Sequence, residues 1–320
     1  MEDVYLGLKK KKEENKDKVG LFKHILETLI VKMKKESTDF DALYQEIYYG
    51  GSYFDGLALG SSDFDLNIIF KNPDIKIVNL GKNDPLTNFG HLQVLTPEKD
   101  LTEEQMKILE NFDGRICISP EKIFSVLLTA VDRALFDEIQ YKGKHYKISR
   151  SVFNPVVLVV KEREELVFEV DLVPAFRMNL ENFPKHSATK DNLLRFCEKF
   201  GIEIRTFLAI ALRNVDNIQG RFEIDFHDLE REILYKKECA KKVIRLMKHL
   251  RNKTGGRAKK IKSFLIKVVV MKRILIKPEQ YWNNKNLDHC FIDCLSSLKD
   301  GLKQKSITDI FYPQVIEIAI

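Results

Sequence analysis

A glycine-serine turn followed by a strand with two acidic residues is the part of this sequence best suited to do chemistry. Gly50, Gly51 and Ser52 form the turn, and an apolar strand with Asp63 and Asp65 begins after ten further residues. Because side chains alternate along a strand, both carboxylates lie on one face, about 7 Å apart. Two carboxylates on one face are typical ligands of hard divalent cations such as Mg²⁺.

The glycine turn itself predicts a phosphate site. Residues without side chains let backbone N–H groups come close to a phosphate, and the Ser52 hydroxyl can also donate. A plain Gly-Gly hairpin before a surface strand is the alternative interpretation. The full spacing, with the apolar strand around the acids, resembles the signature of the DNA polymerase beta-like nucleotidyltransferases.

A second strand offers a third acid. Val156–Val160 and Leu166–Val173 are rich in β-formers and flank a charged turn, which predicts a hairpin. Asp171 shares a strand face with Glu169, and Pro174 is expected to end the pairing. A solvated acidic face is the alternative, but two metal ions about 4 Å apart need such a shared set of acids.

Length and composition predict a globular protein. The chain has 320 residues, 44% of them hydrophobic, with 15 Gly and 9 Pro, which favours two lobes over one domain with a disordered tail. Five cysteines without a dense framework, and no apolar signal sequence near Met1, predict a cytoplasmic location. No apolar run approaches the length of about 20 residues that a membrane helix needs, so no membrane partner is expected.

Positive charge is concentrated in one segment. The net charge is +6, yet residues 236–277 hold sixteen Lys or Arg and a single acid, Glu238. A charge run is usually a solvated face, but concentrating like charge costs self-repulsion, so a polyanionic partner is the favoured interpretation.

The expected fold class is α+β, with a twisted mixed-sheet lobe (residues 1–183) and a helical C-terminal lobe (residues 184–320). A helix from Val4 to about Glu36 carries an apolar stripe and is expected to bridge both lobes as a spine. Further predicted elements are a short helix over 39–49, a strand at Ile75–Val78, a helix from Pro120 to about Ile139, and helices over 189–200, 202–211, 226–252, 259–276 and 287–303.

Most of the chain resembles cyclic GMP-AMP synthase and its invertebrate receptor-like relatives, which are innate immune nucleotidyltransferases. The first acidic motif and the strand from Phe168 to Pro174 carry the resemblance in the sheet lobe. Four later segments are similar in the family's order: residues 226–234, 246–248, 263–267 and 290–294.

The resemblance implies a role for individual residues. Asp63, Asp65 and Asp171 would hold two Mg²⁺ or Mn²⁺ ions, and Gly51 in the turn before them would bind nucleotide. Ser52, Lys248 and Ser263 would contact the donor triphosphate, Phe264 would stack on a base unless it is a core residue, and Glu230 would reach the acceptor. Glu223 stands where the family has a base-reading arginine, unless Arg221 takes that place, so the two bases stay open.

One family element is missing. Vertebrate members carry a His/Cys zinc insertion after the segment that corresponds to Ile233 and Leu234, but this chain continues directly into the next helix. His289, Cys290 and Cys294 supply three soft ligands, whereas a structural zinc needs four, so no zinc is expected.

The resemblance implies ATP and GTP as substrates and double-stranded RNA as activator, with DNA as the alternative, because a basic surface reads duplex shape without base contacts. Three hypotheses stay open: a nucleic-acid-activated cyclic dinucleotide synthase, a template-independent oligonucleotide synthase, and a silent nucleic-acid-binding relative. A ligand-induced dimer also stays open. The expected nucleic-acid surface is Lys241, Lys242, Arg245, Arg251, Lys253, Arg257, Lys259 and Lys260.

Overall fold

A computed structural model describes residues 16–59, 63–78, 89–151, 156–185, 187–212, 220–308, 310–311 and 315–317. Within these ranges twelve strands form one mixed sheet. The strands are β1 Tyr44–Gly50, β2 Asp63–Phe70, β3 Ile75–Val78, β4 Phe89–Val94, β5 Leu109–Phe112, β6 Arg115–Ile118, β7 Glu138–Tyr141, β8 Lys144–Arg150, β9 Val157–Glu162, β10 Glu165–Met178, β11 Phe207–Ala211 and β12 Phe222–Asp225.

The long strand β10 organises this sheet. The main order is β5-β6-β4-β12-β11-β10-β9-β8-β7, with β2 paired to β10, β1 to β2, and β3 to β4. Among these pairs only β2 and β10 run parallel. The antiparallel pairing of β9 with β10 confirms the predicted hairpin. The predicted end of pairing at Pro174 is wrong. On one edge of β10 the partner changes from β9, last paired at Asp171, to β11, first paired at Ala175. Pro174 lies in this gap, where the missing N–H costs little.

Helices surround and follow the sheet. They are α1 Lys16–Glu36, α2 Thr38–Leu43, α3 Gly51–Phe54, α4 Glu103–Lys107, α5 Pro120–Ala134, α6 Ala188–Phe200, α7 His227–Leu234, α8 Glu238–Thr254, α9 Ser263–Ile276 and α10 Leu287–Lys303. The predicted helix at 287–303 is confirmed. The helix expected to reach Ile139 ends at Ala134, before β7. No helix among the described residues combines the length and the apolar character needed to cross a bilayer.

The N-terminal helix supports the acidic strand. The predicted apolar stripe is confirmed on α1, where Phe22, Leu26, Leu29 and Met33 are buried. The Phe22 ring stacks on the Phe64 ring of β2, with centroids 4.1 Å apart, so α1 fixes the strand that carries both acids. Residues 1–15 lie outside the described ranges, and the bridging role of this helix stays a proposal.

Two predicted helices contain strands, and the first is helical only over its N-terminal part. Residues 39–49 form α2 and then β1, and residues 202–211 contain β11. Short apolar runs fit a buried strand as well as a helix, so periodicity could not separate the two.

Because β11 and β12 pair within the sheet, the predicted division at residues 183 and 184 falls inside the sheet-forming part of the chain. Where the two lobes divide stays a proposal.

Candidate active site

Strands β2 and β10 bring four carboxylates side by side. In their parallel register Asp63 lies beside Glu169, and Asp65 lies beside Asp171. Side chains in register on neighbouring strands point to the same face of a sheet. The acidic strands predicted from the sequence are therefore adjacent, and their acids share one face.

The same face continues across the sheet with two more acids. Ala175 of β10 pairs with Ile210 of β11, and Ile210 pairs with Glu223 of β12. Alternation along β12 puts Asp225 on the same face as Glu223. One face of the sheet thus carries acidic residues from three strands.

Burial and mutual repulsion raise the pKa values of two of these acids. Burial first, and then the charges of Asp65, Asp63 and Glu169, raise the pKa of Asp171 from 3.8 to about 6. Burial followed by the charge of Asp63 also raises the pKa of Asp65. Such crowding of negative charge costs folding free energy that a bound cation can offset.

The donor chemistry of this face fits a hard divalent cation, although the side chains have not converged. Carboxylate oxygens are the ligands that Mg²⁺ and Mn²⁺ prefer. Among the residues described, no group of three or more His, Cys, Asp or Glu side chains is already arranged around a common metal position. The strand backbones place the acids in register. To bind one ion together, their carboxylate groups would still have to rotate towards a common point.

Gly51 gives Asp65 the space it occupies. A Cβ added at Gly51 would lie 1.8 Å from Oδ2 of Asp65 and 2.6 Å from its Cγ. The φ angle of Gly51 is +74°, in the left-handed region that glycine alone adopts freely. The glycine of the predicted turn is therefore required both by its backbone and by contact with the acid.

Helices α8 and α7 hold the segment made of the short helix α3 and the turn after it, residues 51–57, which is called the 51–57 loop. Lys248 Nζ of α8 donates to Ser52 Oγ at 2.9 Å and to the Leu57 carbonyl at 3.1 Å. Arg245 Nη1, also of α8, donates to the Gly56 carbonyl at 2.8 Å. The predicted phosphate-binding residues Ser52 and Lys248 are therefore in direct contact.

Arg231 of α7 ties the same loop to the sheet. Its Nε donates to Asp55 Oδ1 at 2.8 Å, and its Nη1 donates to the Tyr48 hydroxyl at 2.8 Å. The Tyr48 hydroxyl in turn donates to Asp228 Oδ1 at 2.7 Å. The Asp55 side chain is 5% exposed and the Arg231 side chain 32% exposed, so this ion pair is only partly shielded from water.

Lys248 is a buried lysine whose surroundings disfavour its charged form. It is 7% exposed, and burial, followed by the charges of Arg251 and Lys267, lowers its pKa from 10.5 to about 8. Asp55 and Asp65 oppose that shift. A triphosphate beside Ser52 would restore the balance of charge, which is the chemistry expected of a phosphate-binding lysine.

Glu230 has a partner that the sequence did not reveal. It is 6% exposed and forms an ion pair with Lys267 of α9. Burial opposes the charged form of Lys267, yet the charge of Glu230 raises its pKa. Contact between Glu230 and an acceptor nucleotide stays a prediction, and it would require this pair to open or to receive the nucleotide as a third member.

Ser263 and Phe264 begin α9. Arg251 Nη1 donates to Ser263 Oγ at 2.9 Å and to the Ile261 carbonyl at 3.0 Å. Phe264 is 42% exposed, so the alternative of a core residue is wrong, and its ring is available to stack on a base. Stacking itself stays a prediction.

The predicted nucleic-acid surface is only partly exposed. Lys253, Lys259 and Lys260 are exposed, whereas Lys241, Lys242 and Arg251 are half-buried. Arg245 is buried, and its contact with Gly56 places it under the loop, so including it in an exposed surface is wrong. The Arg257 side chain lies outside the described part of the chain.

Sequence reasoning missed the contacts that hold the site together. Asp55, Arg231 and Lys267 were not singled out, because their partners lie far away in the chain. Asp225 and His227, only two positions apart at the start of α7, form a further pair. The only local signal was the unusual density of charged residues between Glu223 and Glu232.

Two family domains cover this arrangement. The Mab-21 protein nucleotidyltransferase domain matches residues 53–236, more than half of the chain, and the Mab-21 protein HhH/H2TH-like domain matches residues 239–315. This chain belongs to the Mab-21 family. The first match contains all three predicted catalytic acids, and the second begins in α8, so the Mab-21 nucleotidyltransferase assignment agrees with the sheet face and the helices described above.

Individual relatives of this Mab-21 family member agree. A cyclic GMP-AMP synthase-like receptor of Aethina tumida is 23% identical over 310 residues, covering 90% of this chain and 73% of that protein. Receptors of the same description from Tribolium castaneum and Nicrophorus vespilloides are 23% and 26% identical, covering 90% and 95% of this chain and 74% and 81% of theirs. The resemblance to the cyclic GMP-AMP synthase-like receptors is therefore confirmed.

Proposed function

We propose that this protein is a nucleic-acid-activated nucleotidyltransferase that makes a cyclic dinucleotide from ATP and GTP. The observation that carries the proposal is the pairing of Asp65 with Asp171 on one sheet face, with Lys248 and Ser52 in contact on the loop beside it. A carboxylate cluster and a phosphate-binding loop at the same site are the two parts that nucleotidyl transfer needs.

The roles of the residues follow from that arrangement. Asp63, Asp65 and Asp171 would hold two Mg²⁺ or Mn²⁺ ions, which when bound neutralise the triphosphate and activate the attacking hydroxyl. Ser52 and Lys248 would bind the donor triphosphate, with Ser263 brought to it by Arg251. Phe264 would stack on a base, and Glu230 with Lys267 would position the acceptor nucleotide.

Glu223, or Arg221 in the alternative register, would contribute to the base preference of the site. Glu223 is half-buried on the acidic face, and burial first, then the charge of Asp225, raises its pKa to about 7. A carboxyl group that gains a proton near neutral pH can accept or donate a hydrogen bond. Analysis of the product would identify the two bases and the 2′ or 3′ linkages.

The activator in this proposal is double-stranded RNA, with DNA as the second candidate. The exposed lysines Lys253, Lys259 and Lys260 lie at the end of α8 and in the turn after it. The same helix holds the 51–57 loop through Arg245 and Lys248. A duplex bound at one end of α8 could thus influence the loop through one rigid element. We place the protein in the cytoplasm, where such duplexes would be met.

Pyrophosphate release tests the proposal. The protein, ATP, GTP and Mg²⁺ or Mn²⁺ are incubated with long double-stranded RNA, with long double-stranded DNA, or without nucleic acid. We expect release that depends on duplex in the unaltered protein and is absent from Asp171→Asn. Release that persists undiminished in Asp171→Asn would remove the two-metal assignment, and release at one rate in all three incubations would favour a constitutive oligonucleotide synthase.

A further inference from the structure

A cavity of about 400 Å³ lies between helices in the second half of the chain. Its walls come from α8, from the turn at Gly256–Lys260, from the start of α9 and from the second half of α10. The volume lies within the range that small-molecule sites occupy. None of the residues assigned above to nucleotide or metal lines it.

The interior of this cavity is apolar. Met247 and Leu250 of α8 face Ile266 of α9, and Leu295, Leu298 and Leu302 come from α10. Residues 295, 298 and 302 follow the three- and four-residue spacing that puts side chains on one face of a helix. A polar ligand or a sugar-phosphate backbone would lose its hydration in such a cavity without gaining hydrogen bonds.

The rim of the same cavity is basic. Arg251, Lys299 and Lys303 contribute to its lining, and both lysines are exposed. Because Lys299 and Lys303 lie four residues apart on α10 and are exposed, we expect their ammonium groups at the solvent side of the cavity. The cavity therefore combines an apolar interior with two exposed lysines, Lys299 and Lys303, which we take as its mouth.

We propose that this cavity binds a single-chain fatty acid. The acyl chain would fill the space between the leucines, and the carboxylate would lie at the mouth beside Lys299 and Lys303. A neutral apolar molecule would use the interior but leave the cations without a partner, and a nucleic acid would use the cations but leave the interior empty. Only an amphiphile with one anionic head uses both.

A fatty acid bound in the cavity would affect the nucleotide site. This part of the inference rests on the proposed function. Met247 precedes Lys248, which holds Ser52, and Ile266 precedes Lys267, which pairs with Glu230. Arg251 lines the cavity while its guanidinium donates to Ser263 Oγ. An acyl chain would stiffen the walls that carry these residues, and synthesis would respond to fatty acid.

Direct binding tests the site without any reliance on catalysis. The whole protein, without nucleotide or duplex, is titrated with cis-parinaric acid, whose fluorescence rises on entering an apolar site. We expect saturable binding that weakens about tenfold for the parinaric methyl ester, which lacks the charge. Lys299→Glu with Lys303→Glu should weaken the acid by about tenfold and leave the ester unchanged, whereas Lys285→Glu, an exposed lysine outside the cavity, should change neither.

A second variant fills the interior. Leu295→Trp, at a half-buried position, should abolish binding of acid and ester alike. Absence of saturable binding, equal affinity for acid and ester, or unchanged binding in a folded Leu295→Trp protein would each overturn the proposal. Loss of duplex binding in the double lysine variant without any parinarate binding in the unaltered protein would assign the rim to nucleic acid. Because every readout is binding of the probe, failure here is distinguishable from failure of the proposed enzymatic function.

Discussion

Lys248 Nζ donates a hydrogen bond to Ser52 Oγ at 2.9 Å, joining a helix of the second half of the chain to the loop that follows the first strand. The contact spans 196 positions, and it brings together two residues that sequence resemblance assigned separately to the donor triphosphate. The same ammonium group also donates to the Leu57 carbonyl at 3.1 Å.

The charge of Lys248 predicts how nucleotide binding depends on pH. Burial, with the charges of Arg251 and Lys267, lowers the pKa of Lys248 to about 8, so its charged fraction falls as pH rises through that value. ATP affinity should therefore fall between pH 7 and pH 9. Lys248→Ala should bind ATP more weakly and lose this dependence, whereas Lys248→Arg, which stays charged, should bind without it. Equilibrium binding across pH checks this, and an unchanged slope in Lys248→Ala would contradict it.

Gly51 and Gly56 form a matched pair for testing the loop. Both have φ of +74°, but a Cβ at Gly51 would meet Asp65 at 1.8 Å, whereas nothing lies within 4 Å of one at Gly56. Gly56→Ala should cost about 1–2 kcal/mol of unfolding free energy from backbone strain and keep its turnover. Gly51→Ala should also displace Asp65 and abolish turnover.

Chemical denaturation and pyrophosphate release measure the two effects separately. Equal turnover in the two glycine variants, once their folded fractions are matched, would show that contact with Asp65 has no part in catalysis.

Substitutions at Asp171 and Glu169 distinguish a proposed metal ligand from a neighbouring acid. Both lie on the same face of β10, but Asp171 is beside Asp65 and Glu169 is beside Asp63. Asp171→Asn should abolish turnover and leave duplex binding unchanged, since the strand keeps its shape, and Glu169→Gln should retain most turnover. The same substitutions at Asp63 and Asp65 should behave like Asp171→Asn. The reverse order of effects at residues 169 and 171 would move the third ligand to Glu169.

The sequence predicted the parts of this site that depend on local pattern. Alternation along a strand is enough to put Asp63 and Asp65 on one face, and the β9–β10 hairpin follows from two β-rich runs and a turn. The contacts Asp55–Arg231 and Gly56–Arg245 join positions 176 and 189 residues apart, and no local pattern encodes them. The five apolar residues of β11 carry no period, so the sequence alone does not distinguish this strand from a buried helix.

Exposure of Phe264 predicts a functional rather than a structural role for its ring. The ring is 42% exposed, so Phe264→Ala should leave the thermal unfolding midpoint nearly unchanged. If a base stacks on it, nucleotide affinity should fall by roughly 1–3 kcal/mol. Phe264→Tyr keeps an aromatic face and should retain affinity. A lowered midpoint with unchanged affinity in Phe264→Ala would assign the ring to packing instead.

The exposed lysines predict a salt-dependent duplex site. Each phosphate contact releases condensed counterions, so Lys259→Glu with Lys260→Glu should weaken duplex RNA binding and reduce the slope of log affinity against log salt by about one unit per contact. Lys285→Glu, at an exposed lysine outside the predicted nucleic-acid surface, is the control and should leave the slope unchanged. Identical slopes for the double variant and the control would place duplex binding elsewhere.

Mass analysis of the product tests the central claim most directly. The protein is incubated with all four NTPs and Mg²⁺ or Mn²⁺, in the presence of long double-stranded RNA and, separately, of long double-stranded DNA, with Asp171→Asn as the inactive control. The account predicts a cyclic dinucleotide that contains adenine and guanine, formed when duplex is present and absent from the control. Linear oligonucleotides, or no product under any of these conditions, would contradict it.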